Sequence, residues 1–270
     1  MLYFVQTNGE MKYKKVLGID IGGSGVKGAI VKTKKGKLKT KRFRIPTPQP
    51  ATPEAVGEVI TEIVKHFKWK GPIGVGYPGV VQNGVARTAA NVDDSWIDKD
   101  INKLFSRQTG CPVHVVNDAD AAGTGEMRFG AGKNNKGVVS LVTVGTGLGT
   151  VMFSGGNLVP NLELGHLLLR GDDAEKYASD AARKEEDLSW EEWAGRFSEY
   201  LQRLEELTWP DLIIIGGGAS KKDKKFFKYL TTRAKVVPAE LLNEAGIIGA
   251  AVAAKNQAKL QKKQAKASKK

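Results

Sequence analysis

Short apolar runs punctuated by glycine, alternating with longer amphipathic stretches, set the pattern of this chain. Residues 16–20 and 26–31 are apolar and β-branched, and they read as two strands joined by a turn that holds Gly22, Gly23, Ser24 and Gly25. Residues 32–39 form a charged turn, 40–45 fit a third strand, and Pro46, Pro48, Pro50 and Pro53 mark an extended connector. A helix is expected over 53–67, with Thr52 as its N-cap and Pro53 at its first position. A short strand over 73–76 ends in Tyr77-Pro78-Gly79, and residues 1–13 ahead of all this read as an irregular leader.

The second half repeats part of this plan. A strand over 113–116 ends in Asn117-Asp118, and a helix over 119–127 follows. Residues 138–144, a glycine-rich turn and 150–153 repeat the strand–turn–strand order of 16–31. This weak internal repeat suggests two related halves. Ser189 and Glu192 form a capping box, with Leu188 against Trp193 as its staple; the helix they start runs to about 207 and stops before Pro210. A buried strand over 212–215 ends in Gly216-Gly217-Gly218, and Ser220 is placed to cap the next helix. A small-residue helix over 239–254 then dissolves into a lysine-rich tail. Strands and helices mixed in this way predict an α/β protein with a central cleft.

Composition narrows the classes. At 270 residues the chain can bury one large core or two modest ones. Its single cysteine, Cys111, excludes an internal disulfide framework and any cysteine-rich zinc site, so a reducing cytosol is the expected compartment. Residues 1–5 are too short for a signal peptide, and no apolar run is long enough to span a membrane. The net charge is +13, and seven lysines lie in 255–270 with no acid among them, so the body is basic as well. Such a chain attracts polyanions: nucleic acid, anionic lipid or polyphosphate. For the tail alone, the plainer explanation is solubility and a frayed terminus.

The two glycine turns carry the first candidate chemistry. Dinucleotide fingerprints and P-loops need a helix after the glycines, and strands follow here, so both standard motifs fail. A glycine hairpin still exposes backbone N–H groups that can cradle an anion, and Ser24 and Thr146 could add hydroxyls; a tight hairpin is the alternative. Asp20, at the end of the first strand, would repel phosphate unless Mg²⁺ lay between them, directly or through water; otherwise it is a turn Asp bonded to its own backbone. Asn117 and Asp118 sit where a strand ends and a helix begins. Either one caps that helix, or Asp118 is a general base and Asn117 a substrate donor. Glu163 and His166, three residues apart, would share a helical face as a clamp for a hydroxyl-rich ligand, or else His166 is structural. Gly216, Gly217 and Gly218 allow close approach of an adenosine or a polyanion, or make a tight turn before a helix.

Eight stretches together are far more specific than any one of them: LGIDIGGSGVKGAIV at 17–31, YPGVV at 77–81, RTAANVDDSW at 87–96, NDADAAGTG at 117–125, FGAGKN at 129–134, TVGTGLG at 143–149, PNLELGH at 160–166 and WPDLIIIGGGAS at 209–220. In this order they resemble the ROK family of sugar kinases, within the actin–hexokinase superfamily, and most closely its polyphosphate glucokinase branch. The resemblance implies a two-lobed, actin/hexokinase-like (ribonuclease H-like) α/β fold with the active-site cleft between domains. The expected division is a small N-terminal domain over 14–116, a large C-terminal domain over 117–254, and a disordered tail over 255–270. The implied activity is transfer of a phosphoryl group from inorganic polyphosphate, with ATP as a possible second donor, to the 6-hydroxyl of glucose. Mg²⁺ is the implied cofactor, held by Asp20 directly or through water, in a cytoplasmic homodimer.

Site roles carry over residue by residue. Asp20, Gly22, Gly23 and Ser24, with Lys27 beside them, match the first phosphate loop. Thr143, Gly145, Thr146, Gly147 and Gly149 match the second, and Gly216, Gly217 and Gly218 match the adenosine motif. Asn91, Asn117, Asp118, Glu163 and His166 would hold the sugar, with Gly79 backing it and Asp118 as the base. There is one departure. Most members carry a cysteine-rich zinc motif just after the Glu-x-Gly-His segment, and residues 167–176 contain no cysteine. No structural zinc is expected, His166 must be oriented another way, and Glu175 is the candidate for the sugar-binding glutamate of the missing motif. The stretch before the first strand cannot supply the helix-turn-helix of the repressor members. The basic residues Lys27, Lys133, Lys136, Lys221 and Lys222 are candidate contacts for a polyanionic donor. Two rivals remain: a strictly ATP-dependent hexose kinase, and a non-catalytic polyanion or nucleic-acid binder. The second is disfavoured because the tail has no interleaved aromatics for base stacking. No nucleic-acid or membrane partner is expected.

Overall fold

The structure is a computed structural model, and it describes residues 13–89 and 92–268. The expected leader, apart from Tyr13, and the candidate Asn91 lie outside the described residues. The chain opens with β1 (Lys15–Gly22), β2 (Gly25–Lys32), β3 (Lys37–Leu38) and β4 (Phe43–Ile45), followed by α1 (Pro53–His66) and β5 (Ile73–Tyr77). A small hairpin of β6 (Val81–Gln82) and β7 (Val85–Ala86) precedes α2 (Ile101–Thr109), β8 (Val113–Asn117) and α3 (Asp118–Phe129). Then come β9 (Val138–Val144), β10 (Leu148–Ser154), β11 (Asn157–Val159), a small pair β12 (Leu168–Leu169) and β13 (Asp172–Asp173), α4 (Ala174–Ala178), α5 (Asp180–Glu185) and α6 (Trp190–Thr208). The chain ends with β14 (Leu212–Gly217), α7 (Asp223–Phe226), β15 (Lys235–Pro238) and α8 (Ala245–Ala267).

Two sheets share one plan. In the first, the order is β3-β2-β1-β5-β8, with β4 also paired to β2; β1 and β2 form an antiparallel hairpin, and β5 and β8 add in parallel. In the second, the order is β11-β10-β9-β14-β15; β9 and β10 form the antiparallel hairpin, and β14 and β15 add in parallel. The repeat of glycine turns in the sequence is thus a repeat of topology. Each turn joins the two strands of a hairpin, at Gly22 opposite Gly25 and at Val144 opposite Leu148.

Burial explains which segments became central strands. All five residues of β5 are buried, as are Leu212 to Ile215 of β14, and parallel strands covered on both faces read as continuous apolar runs. In the first lobe α1 and α2 cover one sheet face, packing Val56, Ile60, Ile63 and Phe105 against Ile19, Val75 and Tyr77. In the second, Trp193, Phe197, Tyr200 and Leu204 of α6 pack on Val142, Val144, Ile213 and Ile215. The Ser189 capping box that starts α6 forms as expected, with Ser189 N donating to Glu192 Oε2 at 2.9 Å and Glu192 N to Ser189 Oγ at 3.2 Å. Thr52 likewise caps α1 through Ala55 N at 3.3 Å.

Several boundaries differ from expectation. A short strand, β3, falls inside the expected charged turn, and the strand expected over 40–45 is β4, which starts at Phe43 because Thr40 turns its hydroxyl to accept from Ile30 N at 3.1 Å. Ser220 does not cap a helix; it lies within a 3₁₀ turn and its hydroxyl donates to Gly217 O at 2.8 Å. The last helix begins at Ala245, not 239. The buried Glu126 carboxylate holds the preceding loop by accepting from Glu240 N and Leu241 N, and Leu242 has φ +48°. The same helix continues through Ala267, so the lysine-rich stretch expected to be disordered is helical to that point. Its Ala, Lys, Gln and Leu residues are strong helix formers with no Gly or Pro among them. This helix also returns to the first sheet: Ile247, Ile248, Ala251 and Ala254 pack on Val16, Ala29 and Val31. α8 thus follows the second sheet in the chain and packs on the first. α3 covers the other face of the second sheet through Ala119 and Met127, and it crosses α8 so closely that a Cβ on Gly249 would lie 1.6 Å from Ala121 O.

Candidate active site

The cleft lies where the carboxyl ends of the parallel strands, the N-terminus of α3 and the N-terminus of α8 meet. A recess of about 200 Å³ is lined by Asp20, Asp118, Thr143, Gly216, Gly217 and Gly218, together with Ala119, Ala245 and Gly246. Six of the sequence candidates are thus brought to one wall. Asp20 comes from the end of β1, Asp118 from the start of α3, Thr143 from β9 and the three glycines from the end of β14. Two helix N-termini face this space, and their positive ends favour an anion.

Asp118 is recessed at the head of α3, where its Oδ1 accepts from Ala119 N at 2.7 Å. Burial pushes its carboxyl up to about 7; the neighbouring Asp20 charge and, further off, Glu163 add to the effect. A carboxyl held near neutrality in a cleft suits a general base. Asp20 is raised too, first by burial, with Lys27 and Arg42 pulling it back. Lys27 Nζ stands 3.9 Å from Asp20 Oδ2, and a Cβ on Gly246 would lie 3.2 Å from Asp20 Oδ1. A single strand-end carboxylate beside a phosphate-sized recess fits Mg²⁺, which commonly takes one or two carboxylates and fills its remaining positions with water and phosphate oxygens. Among the described residues no group of three or more His, Cys, Asp and Glu converges as a metal cluster.

The glycine turns follow the strands that bring Asp20 and Thr143 to the recess, and Gly23 lines a neighbouring hollow with Thr47 and Asp93. In the first, Thr47 Oγ1 donates to Gly22 O and Arg44 to Ser24 O, which fixes the carbonyls. The N–H groups of Gly23 and Ser24 have no protein acceptor among the described residues. The second is pinned on three sides: Gly145 N donates to Gly147 O at 3.1 Å, Ala181 N to Gly145 O at 3.2 Å, and Leu148 N to Glu175 Oε2 at 3.2 Å. Thr146 is exposed at its tip, and Thr143 Oγ1 reaches Gly149 O at 3.4 Å. Gly217 locks the third glycine run against the second turn. Its φ is +75°, and a Cβ there would lie 2.4 Å from Val144 O, so only glycine fits.

On the opposite side the sugar candidates divide. Asn117 is the N-cap of α3: its Oδ1 accepts from Asp120 N at 2.9 Å and its Nδ2 donates to Gly79 O at 3.1 Å. The capping alternative therefore holds for Asn117, and among the described residues one N–H of its amide has no acceptor. Gly79 is the residue it backs, where a Cβ would lie 2.8 Å from the Tyr77 ring. Glu163 and His166 do not share an α-helical face. Leu164–His166 is a single 3₁₀ turn entered from Glu163, which burial raises above the usual carboxylate range. His166 Nδ1 lies 3.2 Å from Asp173 Oδ2, and this contact supplies the orientation that a zinc would give elsewhere. Glu175 stands under the second turn and raises Glu163 electrostatically, so it belongs to this side of the site as well.

Four residues with no role assigned from the sequence prove structural partners of the site. Asn161 clamps Val81 across the lobes, accepting from its N–H at 2.9 Å and donating to its carbonyl at 3.0 Å. Asp120, its carboxyl pushed up to about 6 mainly by burial, accepts from Asn161 N at 2.9 Å. Arg42 donates to Asn243 O at 3.1 Å at the mouth of the recess, and Asp173 orients His166. Asn161 and Asp120 lie inside stretches already singled out; Arg42 and Asp173 carry no local mark.

Twin α/β lobes of this topology, each opening on a hairpin with a glycine turn and with a recessed carboxylate at the head of α3, define a phosphotransferase of the actin/hexokinase-like fold. The comparisons then narrow the class. The family model described as "ROK family" matches residues 16–178. The chain is 48% identical over 249 residues to a polyphosphate glucokinase of Mycobacterium tuberculosis, covering 92% of this chain and 94% of that one. It is also similar to the solved inorganic polyphosphate/ATP-glucomannokinase of Arthrobacter sp. strain KM, with a TM-score of 0.86 at 48% identity over 90% of this chain and 99% of the other. A ROK family glucokinase from Streptomyces griseus, solved with glucose and AMPPNP, matches with a TM-score of 0.72 at 27% identity over 90% of this chain and 99% of that one. The chain belongs to the ROK family.

Proposed function

We propose that this protein is a glucokinase that moves a phosphoryl group from inorganic polyphosphate, with ATP as a second donor, to the 6-hydroxyl of glucose. The observation that carries this is the position of Asp118: a carboxyl held at about 7, recessed at a helix N-terminus in the cleft. The 48% identity to a polyphosphate glucokinase over 92% of the chain supports the choice of sugar and donor. Glucose lies against Gly79, Asn117, Glu163 and His166, with its 6-hydroxyl toward Asp118. Asp118 accepts the hydroxyl proton as the phosphoryl group arrives, a contribution of about 10²- to 10⁴-fold. The free N–H groups of Gly23 and Ser24, with Thr146 opposite, hold the donor oxygens in line. Mg²⁺, carried by Asp20 directly or through water, supplies charge neutralisation on the transferring group when bound. Lys27 opposes the burial that raises the Asp20 carboxyl, favouring its ionised form beside the donor. Asp173 keeps the His166 ring fixed. The working form is a cytoplasmic homodimer, which sedimentation at assay concentration tests directly.

The experiment is a glucose 6-phosphate assay with polyphosphate and ATP as alternative donors, run on the wild type and on Asp118→Asn. The wild type uses polyphosphate at least as efficiently as ATP. The variant binds glucose normally and turns over at less than about one-hundredth of the wild-type rate. ATP use with no polyphosphate use would establish the strictly ATP-dependent alternative, and a fully active Asp118→Asn would remove the base.

A further inference from the structure

Three acid-free stretches converge along one side of the first lobe. Residues 32–42 hold six lysines and Arg42, 127–137 hold Arg128, Lys133 and Lys136, and 253–270 hold seven lysines, with no Asp or Glu in any of them. The structure joins them. The turn after β2 presses on the end of α3, where a Cβ on Gly36 would lie 2.2 Å from the Phe129 ring. Arg128 is exposed and sits over that same ring at 5.5 Å. Lys255 on α8 is depressed below the usual ammonium range by burial and then by Arg128 and Lys259, which places all three together. Beyond it, Lys259, Lys262 and Lys263 recur at three- and four-residue spacing, so the charge continues along one face of the helix. At the other end Lys15 is depressed by Lys39 and Lys32, and Arg42 reaches Asn243 on the lining of the catalytic recess.

The result is a ribbon of cations that starts at the mouth of the cleft and ends on the far part of α8. From Ala245 to Lys263 that helix alone covers about 27 Å at 1.5 Å per residue. Among the described residues, Lys15, Lys34, Lys35, Arg128, Lys255 and Lys259 form no ion pair, although Lys27, Arg87 and Lys99 elsewhere in the first lobe each meet a carboxylate. Unneutralised charge of one sign destabilises a fold by self-repulsion, and an incoming polyanion relieves it.

We infer that this ribbon is a holding track for the polyphosphate chain outside the catalytic cleft, binding the body of a long donor while its end reacts. The inference rests on polyphosphate being a donor. A bare phosphate chain suits the surface better than nucleic acid. Among the described residues the Phe129 ring is covered by Gly36 and Arg128, so it offers bases no open face.

The test is a fourfold variant, Lys34→Ala, Lys35→Ala, Lys255→Ala and Lys259→Ala, and its charge-reversed counterpart with Glu at the same positions. KM and kcat are measured with long-chain polyphosphate, tripolyphosphate and ATP, at fixed glucose and at several salt concentrations. The expected result is a rise of about tenfold in KM for the long chain in the Ala variant and more in the Glu variant. kcat stays unchanged, and KM for tripolyphosphate and ATP stays within about twofold. The salt dependence of the long-chain KM also becomes shallower, as fewer counterions are released. An equal change for all three donors, or none for the long chain, overturns the track. So does loss of binding to a short DNA duplex with long-chain KM unmoved, which would make the surface a nucleic-acid site. A wild type inactive with any polyphosphate would defeat the donor assignment itself, and that is seen before a variant is made.

Discussion

Asn161 joins the lobes at the sugar end of the cleft, and replacing it measures what that joint is worth. Its amide makes both bonds to Val81, at 2.9 and 3.0 Å, and its own N–H is held by Asp120 at 2.9 Å. Val81 lies two residues past Gly79, and Asn161 two before Glu163, so the clamp sets the spacing of the two segments that face glucose. Its φ is +60°, which asparagine accepts and alanine resists. Asn161→Gly keeps the backbone and removes two hydrogen bonds worth about 0.5–1.5 kcal/mol each, for a loss of about 1–3 kcal/mol. Asn161→Ala removes the same bonds and adds about 1 kcal/mol of left-handed strain. Asn161→Asp keeps the acceptor for Val81 N but turns a second oxygen on Val81 O, next to Asp120, whose carboxyl ionises near about 6. Its deficit therefore grows as pH rises from about 5 to 8. Urea unfolding gives stability in the order wild type, Gly, Ala, and initial rates show KM for glucose raised several-fold with KM for the donor little changed. If Asn161→Gly unfolds within about 0.3 kcal/mol of the wild type and keeps its glucose KM, the clamp positions nothing.

Four further outcomes follow from the site. The Asp118 carboxyl, raised from 3.8 to about 7, must be ionised to act, so kcat/KM climbs with pH through about 7. Folding runs the other way: a raised folded pKa contributes fully at low pH and is lost as pH rises through that value. Asp118→Asn is therefore more stable than the wild type at pH 8, by at most about 4 kcal/mol at about 1.36 kcal/mol per pH unit, and calorimetry at pH 5, a little above the unfolded value of 3.8, shows the gap reduced to less than half. Glu126→Ala strands the N–H groups of Ala131, Glu240 and Leu241, all now bonded to one buried carboxylate, and costs about 3–5 kcal/mol in urea unfolding. Gly217→Ala meets Val144 O at 2.4 Å from a φ of +75°; it loses about 2 kcal/mol or more and raises KM for the donor in initial-rate assays while sparing that for glucose.

What the sequence revealed and what it hid have physical causes. The paired glycine turns were legible because hairpins this tight concentrate glycine, and that shows as composition. β5 and β14 were legible because strands covered on both faces are continuously apolar. The helical course of 255–267 was not, because it lacks the apolar period that marks a buried helix and rests on propensity alone. The start of α8 was hidden for another reason: Glu126, 114 residues before Glu240, holds the loop ahead of it out of the helix. The Val81–Asn161 clamp spans 80 residues, and polar bonds at that separation leave no local period to find.

Asn117 shows why a choice between structural and functional roles was too narrow. It caps α3 through Asp120 N and holds Gly79 O with the same amide. The cap fixes the head of α3, and the next residue, Asp118, is thereby carried to the cleft with its carboxylate against the helix N-terminus. That helix end favours the ionised form, while burial and Asp20 oppose it, and the balance falls near about 7. A donor entering the recess brings more negative charge and would push Asp118 higher, away from the ionised form a base requires. Lys27 beside Asp20, Arg42 at the mouth and the N-terminus of α8 all stand where they offset that charge. In the proposed reaction the cations at the cleft thus serve the base as well as the donor. A donor bound without them would protonate the residue it needs.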